Sequence, residues 1–291
     1  MKTKLHEKIL VYGILLFWTF ICLFPIYWTL TTSFKNAINV TQGHLIPWID
    51  FTPVWKGWRN LGLSPDTIWT DSNPREEFFK RFFNTAFIST CASALAIILG
   101  SCAAYGLSRF NFKFGPMRNP DISFFFLSQL ILPPVVLALP VLVLYRELAL
   151  VDTRIGMILL YTLTVLPIVI WIMRDQFNAV PIELEEAALV DGASVWISYL
   201  KIVLPIVLPG IVSAFILCLI LCWNEYFLAA LITSTDSITM PVMVASQISS
   251  QSIRWWNMAA ISAALCVPLI LVAIFLERYI VKGMAAGAVK E

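Results

Sequence analysis

Six long stretches without a charged residue constrain this chain more than any other feature of its sequence. A helix satisfies its own backbone hydrogen bonds in lipid, and about 20 mostly apolar residues cross a hydrocarbon core of about 30 Å. Each stretch has that length, so the sequence predicts six transmembrane helices. The stretches are Ile9 to Phe34, Phe82 to Ser108, Ile122 to Tyr145, Ile155 to Met173, Ile202 to Asn224 and Trp255 to Leu276.

The composition excludes a soluble globule. A mean hydropathy of +0.81 with only 13% charged residues leaves too little polar surface to cover a chain of 291 residues. The sequence therefore predicts an all-α polytopic membrane protein. Its first span is too long for a signal peptide and lacks a small-residue cleavage site, so we expect it to stay as an anchor. The predicted organisation is a tail and first span at 1–34, an outer loop at 35–81, a core at 82–281 with a polar loop at 179–205, and a tail at 282–291.

Lysine and arginine in the short loops predict the orientation, because cytoplasmic loops retain these residues. The opposite short loops hold only Arg146, Arg154 and Arg254. Both termini and the loop 179–205 are therefore predicted to face the cytoplasm. The basic residues assigned to that side are Lys2, Lys4, Lys8, Arg109, Lys113, Arg118, Arg174, Lys201, Arg278, Lys282 and Lys290.

One polar segment, Pro181 to Pro205, interrupts the apolar pattern. Pro181 suits a first helical position, and three glutamates follow where the helix dipole favours negative charge. Such a segment is either an amphipathic connector at the bilayer surface or a docking element for a partner in water. The three glutamates are Glu183, Glu185 and Glu186.

The second half of this segment predicts a sharp turn and another helix. Gly192 is free to take positive φ and end the first helix. Ser194 is expected to cap a second helix that runs to Leu204, where Pro205 interrupts the backbone pattern.

The spacing of Glu186-Ala187-Ala188, then Gly192, then Ile202-Val203-Leu204-Pro205 resembles the EAA signature of ABC importer permeases. Three further segments resemble the carbohydrate-uptake branch of that family, specifically the six-span subunit type that pairs with maltose-permease-like partners. These segments are Tyr105 to Phe110, Trp223 to Tyr226 and Gly283 to Lys290.

The resemblance implies a type I ABC importer permease fold in a bacterial inner membrane, forming half of a pore that moves a sugar, polyol or oligosaccharide inward. The implied partners are a second homologous permease in a heterodimer, two ATPase subunits that bind ATP and Mg, and an extracytoplasmic solute-binding protein. The tail Gly283 to Glu291 is implied to reach the ATPase interface. The residues implied to couple to the ATPase are Glu185, Glu186, Ala187, Ala188, Asp191, Gly192, Ile202, Leu204 and Pro205.

The sequence contains no enzymatic constellation. Its only histidines, His6 and His44, lie outside the spans, and neither Gly-x-Ser-x-Gly nor His-Glu-x-x-His occurs. The chain also lacks the glycine-rich loop that cradles nucleotide phosphates, so ATP hydrolysis is expected on another polypeptide. All cysteines lie within the spans without a Cys-x-x-Cys pair, and we expect them to be apolar fillers rather than metal ligands. No cofactor is expected on this chain.

A few polar groups within the spans are candidates for contact with a solute. Pro133-Pro134 should bend or break the third span, and Gln129 precedes this pair. Asn224 and Glu225 end the fifth span, where Glu225 is either functional or snorkels to the interface. Such a nearly charge-free set favours a neutral hydroxylated solute. The alternative, an ion-coupled secondary transporter, would be expected to bury more ionisable groups.

The outer segment Lys35 to Lys80 holds four tryptophans among prolines, which predicts no long regular element. It is either an interfacial cap over the helices or a binding surface for an external partner.

Overall fold

The computed structural model describes residues 5–70, 72–249 and 252–288, with the backbone alone for Leu5, Phe114 and residues 277–288. The predictions placed on residues 1–4 and 289–291 lie outside this range. The elements, in chain order, are α1 (Leu5–Thr32), α2 (Ala37–Thr41), α3 (Lys56–Asn60), α4 (Asn73–Arg109), β1 (Lys113–Phe114), β2 (Met117–Arg118), α5 (Asn119–Ser128), α6 (Pro134–Glu147), α7 (Arg154–Asn178), α8 (Glu183–Val190), α9 (Val195–Ser198), a π-helical segment (Tyr199–Val203), α10 (Leu204–Trp223), α11 (Phe227–Ile232), α12 (Met240–Ala245) and α13 (Trp255–Ala288).

Within the described part of the chain, five helices are long and apolar enough to cross a membrane. The predicted third span is broken instead, because α5 ends at Ser128 and α6 begins at Pro134. Pro133 is extended, with φ −60 and ψ 132, and a proline in that position has no N–H to continue the helix. The break that the two prolines predict is confirmed. The five long helices are His6–Thr32, Asn73–Arg109, Arg154–Asn178, Val195–Trp223 and Trp255–Leu276.

The chain divides into two compact units, the first made of Met1–Lys80 and Met243–Pro268. Before α4 begins at Asn73, the described part of its outer segment holds only the short helices α2 and α3, as its prolines predict. The indole of Trp58 donates to the Ser33 hydroxyl at 3.2 Å, whereas Trp48 and Trp69 are 83% and 89% exposed. Exposed tryptophans are compatible with both predicted roles of this segment, an interfacial cap and a partner surface.

The second unit, Arg81–Val242 with Leu269–Glu291, is built around a core from α4, α7, α10 and α11. Gly100 allows α4 to approach α7 closely, because a Cβ at this position would lie 2.6 Å from a methyl carbon of Val169. Ala96 and Ala104 on α4 are fully buried. Small residues at such contacts are the usual means by which membrane helices pack closely.

A second-unit turn before α7 is fixed by one carboxylate. Asp152 has φ 56, and its carboxylate accepts hydrogen bonds of 2.9 to 3.2 Å. Burial raises the pKa of Asp152. The hydrogen bonds from the backbone N–H groups of Asp236, Ser237 and Ser234 lower it by more than burial raises it, so the pKa lies below its usual range. The donors are the backbone N–H groups of Ser234, Thr235, Asp236 and Ser237 and the hydroxyls of Ser234 and Ser237.

Asp152→Asn is expected to lower the free energy of unfolding by about 1–2 kcal/mol, a value reduced for the partial exposure of the site. Asparagine tolerates positive φ, but it offers one acceptor oxygen where aspartate offers two. Thermal unfolding followed by tryptophan fluorescence measures the loss. Because the folded-state pKa is depressed, the difference from the wild type should persist at neutral pH and shrink only below the ordinary aspartate pKa of about 3.9.

Asp66→Asn is the matched control for this substitution. Its carboxylate pairs with Arg59 at 2.8 Å, but both side chains are more than half exposed, at 51% and 62%. Exposed pairs contribute little, so this variant should unfold close to the wild type. An equal loss in both variants would contradict the role assigned to Asp152.

Candidate functional site

Residues 179–205, here called the polar hairpin, form α8, a tight turn, α9 and the π-helical segment. Helix α8 begins at Glu183 with Ile182 as its N-cap. The prediction that Pro181 is the first helical residue was therefore wrong by two positions. The carbonyl of Ile182 accepts the N–H groups of Glu185 and Glu186 at 2.9 and 3.0 Å, which places Pro181 in the turn that precedes the helix.

The turn that ends α8 has the predicted chemistry. Gly192 has φ +87, its N–H donates to the Leu189 carbonyl at 3.1 Å, and the N–H of Ala193 donates to the Ala188 carbonyl at 2.9 Å. This pair of bonds is a Schellman motif, which requires the left-handed conformation that glycine favours. The hydroxyl of Ser194 then accepts the N–H of Ile197 at 3.4 Å, so the predicted cap is also present.

The second half of the hairpin does not stop at Leu204. Helix α9 passes into the π-helical segment Tyr199–Val203, which continues directly into α10. Pro205 stands in the first turn of α10, where its missing N–H is tolerated. The wider π winding precedes this proline because an α-helical bond from Pro205 to the carbonyl of Lys201 cannot form. The predicted interruption is therefore a change of winding rather than an end.

A buried ion pair fastens the polar hairpin to α4. The Arg109 Nε donates to a Glu185 carboxylate oxygen at 2.6 Å, and the two side chains are only 9% and 8% exposed. The hydroxyl of Tyr105 donates to the other oxygen of Glu185 at 2.5 Å. We call Tyr105, Arg109 and Glu185 the hairpin tie. Losing one partner of such a pair leaves an uncompensated buried charge.

The hairpin tie is reinforced from the end of α7. The Arg109 Nη2 donates to the Val180 carbonyl at 3.0 Å, and the Ser108 hydroxyl donates to Asn178 Oδ1 at 2.6 Å. The ring of Tyr105 lies 4.6 Å from that of Tyr199. The end of α4 is thus bonded to the end of α7 and to both halves of the polar hairpin.

The hairpin also presents an exposed face. Glu186, Ala187, Asp191 and Gly192 are exposed. Beside them lie large apolar side chains that no described residue covers, namely Leu184 at 43% exposure, Leu189 at 46%, Val190 at 87% and Trp196 at 64%. A surface that mixes carboxylates with exposed apolar side chains is what a docked partner would bury.

The predicted coupling residues thus separate into an exposed and an inward group. Ala188 is 8% exposed and Glu185 is held in the hairpin tie, so neither side chain belongs to the outer face. Ile202 and Leu204 are partly buried, and Pro205 is exposed. A coupling role for Glu185 therefore consists in positioning α8.

Sequence reasoning missed Tyr105 and Arg109 as site residues: it used both in a resemblance and Arg109 also in predicting the orientation. The available signal was charge: Arg109 and the glutamates of the hairpin were both predicted on the same side of the membrane. Which glutamate pairs with Arg109 depends on the phase of α8, which places Glu185 inward and Glu186 outward.

The predicted pathway residues stand in two separate places. Gln129 follows α5 and donates weakly to the Phe125 carbonyl at 3.4 Å, and Pro133 caps α6. Asn224 donates to the Ile220 carbonyl of its own helix at 2.8 Å. The carboxylate of Glu225 accepts the N–H groups that begin α11, those of Leu228 at 2.8 Å and Ala229 at 3.1 Å. The structure therefore gives Glu225 a capping role that the sequence analysis did not consider.

In the described ranges, no group of three or more His, Cys, Asp or Glu side chains could hold a metal ion.

Membrane-length helices, with the polar hairpin tied to the ends of α4 and α7, define a polytopic membrane protein. Residues 96–286 match the family described as the binding-protein-dependent transport system inner membrane component. The chain belongs to this family, whose members are membrane components of transport systems and not enzymes.

Curated relatives cover nearly the whole chain. It is 30% identical over 271 residues to the trehalose transport system permease protein SugB of Mycobacterium tuberculosis, covering 92% of each. It is 28% identical to the trehalose/maltose transport system permease protein MalG of Thermococcus litoralis, covering 100% of this chain and 99% of that one. Among solved structures, a chain of a bacterial ABC transporter involved in import of the acidic polysaccharide alginate has the same fold, with a TM-score of 0.71 at 21% identity, covering 96% of this chain and 99% of that chain.

Proposed function

We propose that this chain is the permease subunit of an ATP-binding-cassette importer for a carbohydrate. The observation that carries the proposal is the polar hairpin, whose outer face exposes carboxylates and apolar side chains while its inner face is bonded to α4 by a buried ion pair. An element that is held rigidly on its inner face and can bind a partner with its outer face suits the transfer of force from a second protein. The names of the relatives, which include trehalose/maltose and diacetylchitobiose systems, support a carbohydrate as the solute.

In this proposal, two separate ATPase subunits bind ATP and Mg and dock on the polar hairpin. Their closure moves α8 as a lever of about 12 Å, at 1.5 Å per residue. The hairpin tie carries this movement to α4, and the continuous helical stretch Val195–Trp223 carries it to α10. Gln129, Pro133, Asn224 and Glu225 stay candidates for the solute path.

The wider assembly follows from the same proposal. A second, homologous permease completes the pore, and an extracytoplasmic solute-binding protein delivers the solute. The polar hairpin and both termini face the cytoplasm of a bacterial cell, in agreement with the distribution of Lys and Arg over the short loops. An ion-coupled secondary carrier has no support among the relatives, whose family is binding-protein-dependent.

Glu186→Lys tests the docking role of the hairpin. The exposed carboxylate reverses its charge on the outer face without touching the buried core, so folding and membrane insertion should be unaffected. We expect uptake to fall by about tenfold or more, since a like-charge mismatch at an interface costs several kcal/mol. The measurement is uptake of the carbohydrates that a deletion strain fails to import, together with the ATPase activity of the purified complex.

Glu147→Lys is the matched control, because Glu147 is an exposed carboxylate in the last turn of α6, outside the hairpin. It should import normally. Normal uptake by Glu186→Lys would refute docking on the hairpin. Collapse of the proton gradient at constant ATP should leave uptake by the wild type intact, whereas immediate loss would favour a secondary carrier.

A further inference from the structure

A cavity of about 240 Å³ lies between α5 and α7, and its lining includes no residue of the polar hairpin. Its walls are mostly apolar, with one cationic and one anionic side chain. Trp171 is 52% exposed, so the cavity reaches the surface of the second unit. The lining residues are Ser123, Phe126, Leu127, Pro167, Ile170, Trp171, Arg174 and Asp175.

The cation at this cavity has an unused donor. The Nε of Arg174 is buried and has no hydrogen-bond partner among the described residues. Buried donors in native proteins are nearly always paired, so a group absent from the chain itself is expected beside it. A guanidinium presents Nε and Nη as a fork that matches two oxygens of a phosphate.

The anion lies in the next position along α7. Asp175 accepts the indole N–H of Trp171 at 3.3 Å, and a carboxylate has capacity for further donors. A ligand with a phosphate alone would meet this negative charge, and a ligand with an ammonium alone would meet Arg174. The pair is complementary to a zwitterion that carries both groups.

The position along α7 indicates where such a zwitterion comes from. Arg174 and Asp175 stand in the last turns of α7, which ends at Asn178 and is followed by the polar hairpin. We expect this end of a membrane-length helix to lie at headgroup level, where tryptophan is also enriched. Phe126, Leu127 and Ile170 line the cavity beside the charges and suit the glycerol and first acyl carbons of a lipid.

We propose that this cavity binds the headgroup of a phospholipid with a primary ammonium group, its phosphate on Arg174 and its ammonium on Asp175. Basic pockets between membrane helices are a known means of lipid-specific recognition. Choline has no N–H to donate to Asp175, so a choline lipid satisfies only half of the site. An anionic glycerol lipid leaves Asp175 without a cationic partner.

The test uses the assembled transporter, delipidated in mild detergent and titrated with short-chain phosphatidylethanolamine, phosphatidylcholine or phosphatidylglycerol. Native mass spectrometry measures the bound lipid. We expect the ethanolamine lipid to bind about tenfold more tightly than the choline lipid, the effect of one charge-assisted hydrogen bond. Arg174→Gln should weaken binding of the ethanolamine lipid by about tenfold or more, and Asp175→Asn should remove its advantage over choline. Lys113→Gln, which removes an exposed cation that does not line the cavity, should bind like the wild type.

Three results would overturn the proposal. The first is equal binding of the three lipids to the wild type. The second is that inorganic phosphate alone protects the transporter against thermal unfolding as well as the ethanolamine lipid does. The third is a photoactivatable residue at Leu127 that crosslinks to the second permease instead of to lipid. A purely structural Arg174 is also distinguished, since Arg174→Gln would then lower the unfolding temperature in lipid-free detergent, where the proposal expects no loss.

Discussion

Replacing Arg109 with alanine is expected to stop solute uptake while the assembled transporter still hydrolyses ATP. Glu185 would keep its buried position without its counter-ion, and breaking a buried pair in this way costs about 3–5 kcal/mol. The bond from the Tyr105 hydroxyl to Glu185 would remain between the end of α4 and α8. Movement of the ATPase would swing the hairpin instead of moving the spans. Uptake in the deletion strain, divided by ATP hydrolysed in the purified complex, measures this coupling.

Arg109→Lys and the double variant Arg109→Ala/Glu185→Ala are the controls. Lysine keeps the charge but cannot donate from a rigid fork to both Glu185 and the Val180 carbonyl, so we expect an intermediate loss. The double variant removes both charges and should unfold at a higher temperature than Arg109→Ala alone. Full coupling in Arg109→Ala would show that the hairpin tie does not transmit force.

Gly192→Pro is expected to abolish uptake without preventing membrane insertion. Proline fixes φ near −65°, whereas Gly192 has φ +87. The substitution also removes the N–H that donates to the Leu189 carbonyl, so the Schellman turn cannot form and α9 loses its position relative to α8. Quantitative uptake and the amount of subunit in the membrane fraction give the two readouts.

Substitutions of graded strain test this explanation for Gly192. Asparagine tolerates positive φ, and a Cβ at this position meets no atom within 4 Å, so Gly192→Asn should retain most of its uptake. Gly192→Ala should lie between asparagine and proline. Gly43→Pro imposes the same change where φ is +71, in the outer segment, and should not uncouple transport. Equal loss in the asparagine and proline variants would point to a need for bare backbone at the partner's surface.

Local signals in the sequence predicted the local structure well. The apolar stretches became helices, Pro133-Pro134 broke the third span, and Gly192 and Ser194 took their predicted conformations. Each of these features depends on backbone preferences and apolar length within a few residues. Pro205 was predicted less well, because a π segment is an alternative to termination that residue preferences do not reveal.

The contacts that build the site were not predictable in the same way. Arg109 and Glu185 are 76 residues apart, and Asp152 lies more than 80 residues from its donors. No periodicity joins such distant positions, and the choice of Glu185 over Glu186 depends on the rotation of α8 against its neighbours. Glu225 was predicted either to serve a solute path or to snorkel, and its bonds to the N–H groups that begin α11 could not be read from its place in an apolar sequence.

The π-helical segment Tyr199–Val203 sets the angular phase of the polar hairpin around the axis of α10. One additional residue in a helical winding rotates everything beyond it by about 100° relative to a regular α-helix. The direction around the helix axis in which Glu186 and Trp196 lie therefore depends on one extra residue in the π-helical segment. In homologues with one residue more or fewer in this segment, the same acidic and aromatic side chains would face a different part of a partner ATPase.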